Sequence, residues 1–207
     1  MELQHTLCHN IQMAESEKAS PLSDGRLQRS ERSREAIVQA LLYLIREGDP
    51  RPTAERVAER AGVGIRTVFR HFSDMDSLFV QLHERLYAEM IPLLGKPEPG
   101  TLAERCKALV VNLATFFERL TPFRRSSDLQ LWRSPFLKKE SKITATRLRK
   151  NLVEWLPELE SVHPDVLEAC DALASFEAWN RLRLTQELSR SRATKVTQEA
   201  LLKLLKD

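Results

Sequence analysis

Arg66, Thr67, Arg70 and His71 are spaced so that, in a helix with Val68 and Phe72 turned inward, all four fall on the outer faces. These side chains can recognise DNA. A guanidinium forks onto the acceptor edge of guanine, and threonine meets the thymine methyl. A short helix presenting them after a tight turn can enter the major groove. A second group, His5, Cys8 and His9, has the spacing of metal ligands on a helix. A closed structural zinc site needs four ligands and a scaffold, so no metal is expected there. The sequence has no glycine-rich phosphate loop, no H-E-x-x-H and no G-x-S-x-G elbow, and His71, His83 and His163 have no ligand or nucleophile partners beside them. No catalytic residue and no cofactor are expected.

The elements that position the first group can be read from periodicity. Ile37, Leu41, Leu44 and Ile45 recur at helical spacing over residues 30–46, and Gly48, Pro50 and Pro52 stop the pattern. Thr53 is a good N-cap for a short helix carrying Val57, Ala58 and Ala61, which Gly62 terminates. A third helix is expected over residues 64–71. Ala58 is small enough to let the two short helices approach, Gly62 accepts the positive φ of a sharp turn, and Val57, Val63 and Val68 fill the wedge. This is a helix-turn-helix. From Asp24 to Phe72 there are ten Arg, no Lys and seven acids, with Arg26, Arg29, Arg32 and Arg34 clustered where they can meet phosphates.

Downstream, Ser73 and Asp76 form a capping pattern ahead of a long helix with Leu78, Phe79, Leu82, Leu86 and Met90 on one face, ending near Pro92. Residues 93–100 read as a loop. Thr101 and Glu104 cap a helix expected to end at Leu120, and Thr121-Pro122 and Ser134-Pro135 each mark a new helix start. Pro164 and Ser189 open the last two. With no strand signal, the chain is expected to be all-α, with about nine helices: an N-terminal three-helix helix-turn-helix domain and a C-terminal helical bundle domain. Residues 1–23, interrupted by a break at Pro21 to Gly25, read as a disordered leader.

Residues 34–79 resemble the N-terminal domain of the tetracycline-repressor (TetR) family of transcriptional regulators. The resemblance rests on Arg34-Glu35-Ala36-Ile37, on Val57-Ala58-Glu59-Arg60-Ala61-Gly62-Val63, and on Thr67-Val68-Phe69-Arg70-His71-Phe72 followed by Leu78. The family usually has Ser near Gly64, Tyr at Phe69 and Lys at Met75, so two groups that commonly meet the DNA backbone are replaced here. Phosphate anchoring then moves to Arg51, Arg66 or the arginines of the arm. The DNA-binding set is Arg34, Arg51, Thr53, Gly64, Arg66, Thr67, Phe69, Arg70 and His71.

The resemblance implies that residues 24–86 bind DNA and that residues 87–207 bind an effector and form a homodimer. The implied function is a repressor that leaves a palindromic operator when a small molecule binds. Asn112 lies on the stripe of Leu109, Leu113 and Phe116, and Asn180 on that of Leu173 and Phe176; each amide needs a partner in a ligand, a water or the other subunit. With Phe116, Trp132 and Trp179 they form the candidate ligand set. Leu173, Leu184, Leu188, Val196, Ala200 and Leu204 form apolar stripes suited to a bundle with a second copy. Residues 121–150 hold nine Lys plus Arg against two acids, and residues 151–187 hold two Arg against eight acids. The first is either a basic pocket for an acidic effector or one of two faces that attract each other when packed.

The general character of the chain fits this reading. Hydrophobic residues make up 42% and charged residues 29% of its 207 positions, a globular balance. The formal charge of +3 is too small to imply nucleic-acid binding by itself. The longest apolar run, Ala40 to Ile45, is far shorter than the roughly 18 residues of a membrane span. No secretory signal opens the chain, and Cys8, Cys106 and Cys170 suggest reduced thiols, so a cytoplasmic protein is expected. The alternatives are a helical adaptor that binds only protein and an enzyme without a recognisable catalytic motif.

Overall fold

The computed structural model describes residues 21–206. The leader expected over residues 1–23 and the His5, Cys8 and His9 group lie wholly or mostly outside the described residues. Among these residues the chain forms nine α-helices and no strand: α1 Pro21–Arg46, α2 Ala54–Ala61, α3 Ile65–His71, α4 Met75–Met90, α5 Leu102–Leu131, α6 Pro135–Trp155, α7 Pro164–Leu173, α8 Phe176–Asn180 and α9 Arg190–Leu204. No helix is long and apolar enough to cross a membrane.

The break expected at Pro21 to Gly25 is absent, because α1 runs through it. A proline suits the first turn of a helix, and a glycine inside one costs only about 1 kcal/mol. Side chains reinforce the segment, with Arg29 Nε donating to the Gly25 carbonyl at 2.9 Å and Ser33 Oγ to that of Arg29 at 3.0 Å. At the other end of α1, Ile37, Leu41, Leu44 and Ile45 are buried. They meet Val57, Ala58, Val68 and Phe72 from α2 and α3 and Leu78, Phe79 and Leu82 from α4 in one continuous core.

The cap of α4 is one residue from its expected place. Asp74 accepts from the Ser77 amide at 2.7 Å, and the Ser77 hydroxyl faces back to the Asp74 amide at 3.4 Å. The start of α5 is as expected, with Thr101 and Glu104 forming a reciprocal capping box. Its end is not, because α5 passes through Pro122 to Leu131. Thr121 does not cap a new helix; its hydroxyl turns back to the Phe117 carbonyl at 2.8 Å. Phe116, Phe117 and Phe123 are buried on either side of the proline, which holds both halves against the same core.

The helix expected to run from Pro164 toward Leu188 is divided. Ser175 caps α8, and the chain then widens into a π-helical turn over Arg181–Thr185. Cys106 and Cys170 are buried free thiols. Of the apolar residues expected to face a second copy, Leu173, Leu188 and Leu204 pack against the core of this chain, and Val196 and Ala200 are half-buried. Leu184 remains 53% exposed.

Candidate nucleic-acid interface and apolar cavity

The turn between α2 and α3 is set at both ends by backbone chemistry. Thr53 Oγ1 accepts from the Arg56 amide at 3.4 Å, closing the N-terminus of α2. Gly62 closes its C-terminus with φ 67° and ψ 30°, a left-handed conformation that glycine adopts without a Cβ penalty. Gly64 then opens α3 with no side-chain cap. Where the family commonly has a serine, the first amides of α3 are left to water or to an approaching phosphate.

Val68 and Phe72 anchor α3 in the core. That fixes what it shows to solvent. Arg66 and Arg70 are exposed, Phe69 is 49% exposed and Thr67 is half-buried. Among the described residues neither arginine forms an ion pair, and neither does Arg51. Other arginines of the domain are already engaged: Arg56 pairs with Asp49, and Arg60 binds Glu47 through two bonds of 2.6 and 3.1 Å while lying 5.5 Å over the Tyr43 ring. Among the described residues of this domain, the arginines without an ion pair therefore include Arg66 and Arg70 on α3, Arg51 before α2, and Arg26 and Arg32 on α1.

Arg34 and His71 have a different place. The Arg34 guanidinium stacks on Phe72 at 4.8 Å and lies 3.5 Å from the His71 carbonyl, joining α1 to the end of α3. His71 is half-buried, and its Nε2 has no hydrogen-bond partner. Burial, with Arg70 and Arg34 adding to it, holds its imidazole below the ordinary histidine pKa. Met75, where the family commonly has lysine, packs partly against the core.

Behind this domain lies a partly open apolar cavity of about 60 Å³ lined by α4, α5 and α6, with Ile45 of α1 on its wall. Phe79, Leu82 and Leu86 of α4 face Phe116, Leu120 and Phe123 of α5 across it. Its polar edge comes from three helices: His83 and Tyr87, Arg124 and Ser127, Ser141 and Thr144. His83 Nε2 lies 3.0 Å from Glu140 Oε2, and its ring stacks on Tyr87 at 4.4 Å. Burial holds the His83 imidazole below its ordinary pKa although Glu140 pulls the other way. Burial also pushes the Tyr87 phenol up to about 12. Arg124 joins the edge to α6 and α8, contacting Ser141 at 3.3 Å and Glu177 at 3.1 Å.

Of the residues expected to bind a ligand, Phe116 lines this cavity and the other four do not. Asn112 donates to the Leu94 carbonyl at 3.4 Å beside Gly95. Trp179 is buried and donates to Glu118 at 3.1 Å, in a cluster where Arg183 also binds Glu118 at 2.6 Å. Asn180 is half-buried on α8, and Trp132 is 75% exposed. His83, Tyr87, Arg124 and Ser141 escaped sequence reasoning because each looks like an ordinary polar position on its own helix. The basic and acidic stretches meet as packed faces: Arg124 holds Glu177, and Arg149 holds Glu168 at 2.6 Å and Asp171 at 3.0 Å.

Comparison with known proteins fits this geometry. Residues 34–82 match the family described as bacterial regulatory proteins, tetR family, a span reaching from Arg34 into α4. No curated protein matches the chain. Its fold is similar to that of a transcriptional regulator from Rhodococcus sp. Rha1, at 20% identity and a TM-score of 0.63 over 86% of this chain and 96% of the other. It is also similar to a protein from Streptomyces coelicolor A3(2) assigned as a transcriptional regulator, at 21% identity and a TM-score of 0.57 over 84% and 99% of the two chains. Residues 34–82 thus carry the N-terminal domain of the tetR family of bacterial regulatory proteins, set within an all-helical fold similar to that of these two proteins.

Proposed function

We propose that the protein is a cytoplasmic transcriptional repressor that binds a palindromic operator as a homodimer and releases it when a small molecule enters the cavity behind α4. The observation that carries this reading is the outer face of α3, where the side chains of Arg66 and Thr67 have no partner among the described residues and stand beside Phe69, while Val68 and Phe72 fix the helix to its core. Such a face suits the major groove, and a two-fold dimer reads two half-sites about one DNA turn apart. In this reading residues 24–86 form the DNA-binding domain, with Arg51, Thr53 and Gly64 at its backbone-facing edge, and residues 87–207 serve effector and dimer.

The cavity supports the second half of the proposal. One of its walls is formed by α4, and α4 follows α3 after only three residues, so pressure on Phe79 or Leu82 acts on the helix that aims the reading head. At about 60 Å³ it is smaller than an ordinary ligand pocket of roughly 300 Å³ or more, so a mainly apolar effector would enter by parting α4 from α6. Leu184, exposed on the π turn, is available to a second copy.

Selection of bound duplexes from a random pool tests the reading. Recovery of a two-fold symmetric site by a species of twice the chain mass is the expected result. Recovery of no sequence would reject operator reading, and full-site binding by a monomer would reject the dimer.

A further inference from the structure

α1 begins thirteen residues before the segment that matches the family, which adds about 20 Å of helix to the DNA-binding domain. The added turns carry Arg26 and Arg29, and these line one shallow groove with Ser30, Ser33 and Arg70. Arg70 is the C-terminal arginine of α3, so the groove joins the reading helix to a part of α1 outside the family pattern. Among the described residues no carboxylate lines it. Of the described acids of α1, Glu35 pairs with Arg85, and Glu31 is exposed and does not line the groove. Arg26 and Arg70 have no ion-pair partner among the described residues, and Arg29 spends only its Nε on the Gly25 carbonyl.

Three guanidiniums lining one groove, with no counter-charge among the described residues, favour an anion there. The two hydroxyls, of which Ser33 is turned to the Arg29 carbonyl, add polarity and no charge. In a domain that reads DNA, the anion at hand is the phosphate backbone.

We infer that Arg26, Arg29 and Arg70 form a phosphate-holding groove, so that Arg70 anchors the DNA backbone and base reading falls to Arg66 and Thr67 at the N-terminal end of α3. The inference rests on the DNA-binding reading above and assigns Arg70 a different task from its neighbour one turn away. N-terminal residues of a recognition helix are the ones that meet base edges, and its far end lies nearer the backbone.

The test uses the full chain and the duplexes recovered by selection. Binding is measured against salt for the wild type, for Arg26→Gln with Arg29→Gln, for Arg70→Gln and for Arg66→Ala. Either glutamine variant should flatten the dependence of log K on log salt by about 0.9 for each phosphate that is no longer neutralised. Affinity should fall by a similar factor for every duplex, leaving the ranking of base-pair variants unchanged. Lysine at the same positions should restore the slope, which a merely structural role would not require. Arg66→Ala should instead relax preference at one position. An unchanged salt slope in the glutamine variants overturns the groove, and relaxed preference at one base pair in Arg70→Gln overturns the division of labour. A wild-type chain that binds no duplex at all would remove the DNA-binding reading itself.

Discussion

Arg34 stacks its guanidinium 4.8 Å over the ring of Phe72, so one surface cation ties the middle of α1 to the residue that ends α3. Phe72 is itself buried, and the pair therefore fixes the orientation of the reading helix as well as its depth in the core. Arg34 enters the DNA-binding set from its place in the family pattern, and its geometry adds a positioning task.

Arg34→Ala should accordingly destabilise the chain by about 1 kcal/mol, the usual size of a partly exposed cation–π contact. In a chain of this length that corresponds to a fall in Tm of about 2 to 4 °C. Thermal unfolding at fixed salt checks it. Unchanged stability would mean that the stack holds nothing in place.

Gly62 gives a second handle on the same region. A Cβ there would meet nothing within 4 Å, so substitution acts through φ 67° alone. Gly62→Ala should cost about 1 to 2 kcal/mol in urea unfolding, the penalty of a left-handed residue with a side chain. Gly62→Asn should cost less, because asparagine tolerates this conformation. Equal losses in the two variants would point to a crowded site instead.

These local devices explain why the first half was legible. Thr53, Gly62 and the three valines act on neighbours within a few residues, so type and spacing were enough to place α2, α3 and the face between them. Thr121-Pro122 and Ser134-Pro135 show the limit. The two pairs look alike in sequence, yet Ser134 caps α6 while Pro122 is carried inside α5, a choice made by distant packing around Phe117 and Phe123. Asn112 and Asn180 failed to mark the cavity for a similar reason. Whether an amide on an apolar stripe meets a cavity or a loop carbonyl depends on where Gly95 brings the chain, and no periodicity records that. The polar edge was less legible still, since His83 and Glu140 meet from positions 57 residues apart.

The depressed pKa of His83 sets a pH dependence. The folded state holds this imidazole neutral, so the unfolded chain binds the proton more readily, and stability falls as pH drops below the unfolded value near 6.5 toward the lower folded one. His71 acts in the same direction. The carboxyls of Glu118, Glu158 and Glu168 are also held low, but their contribution is lost only in the more acidic range below their ordinary pKa of 4.5. Urea unfolding between about pH 7.5 and 5 should therefore show a loss that His83→Gln reduces. If wild type and variant follow parallel curves through this window, His83 is not the group responsible.

Filling the cavity tests whether the effector binds there. Leu120 lies on its wall, far along α5 from the residues of α3. Because an indole in the cavity presses on α4 as an effector would, Leu120→Trp should weaken operator binding in the absence of any ligand. It should abolish the thermal shift given by any small apolar ligand that releases the wild-type complex. Ligand response retained in full would place the effector elsewhere.

Pro122 has no amide hydrogen, so α5 lacks one rung of its ladder within the stretch from Phe116 to Leu131 that walls the cavity. A continuous helix of 30 residues would be a stiff rod about 45 Å long. With one rung missing it is two shorter rods sharing a soft joint, and the Thr121 hydroxyl is bonded to the turn just before that joint. Bending at the joint would move Phe123 and Arg124 while the first half stays seated on α9. In amide exchange, this junction should open before the rest of the helix does.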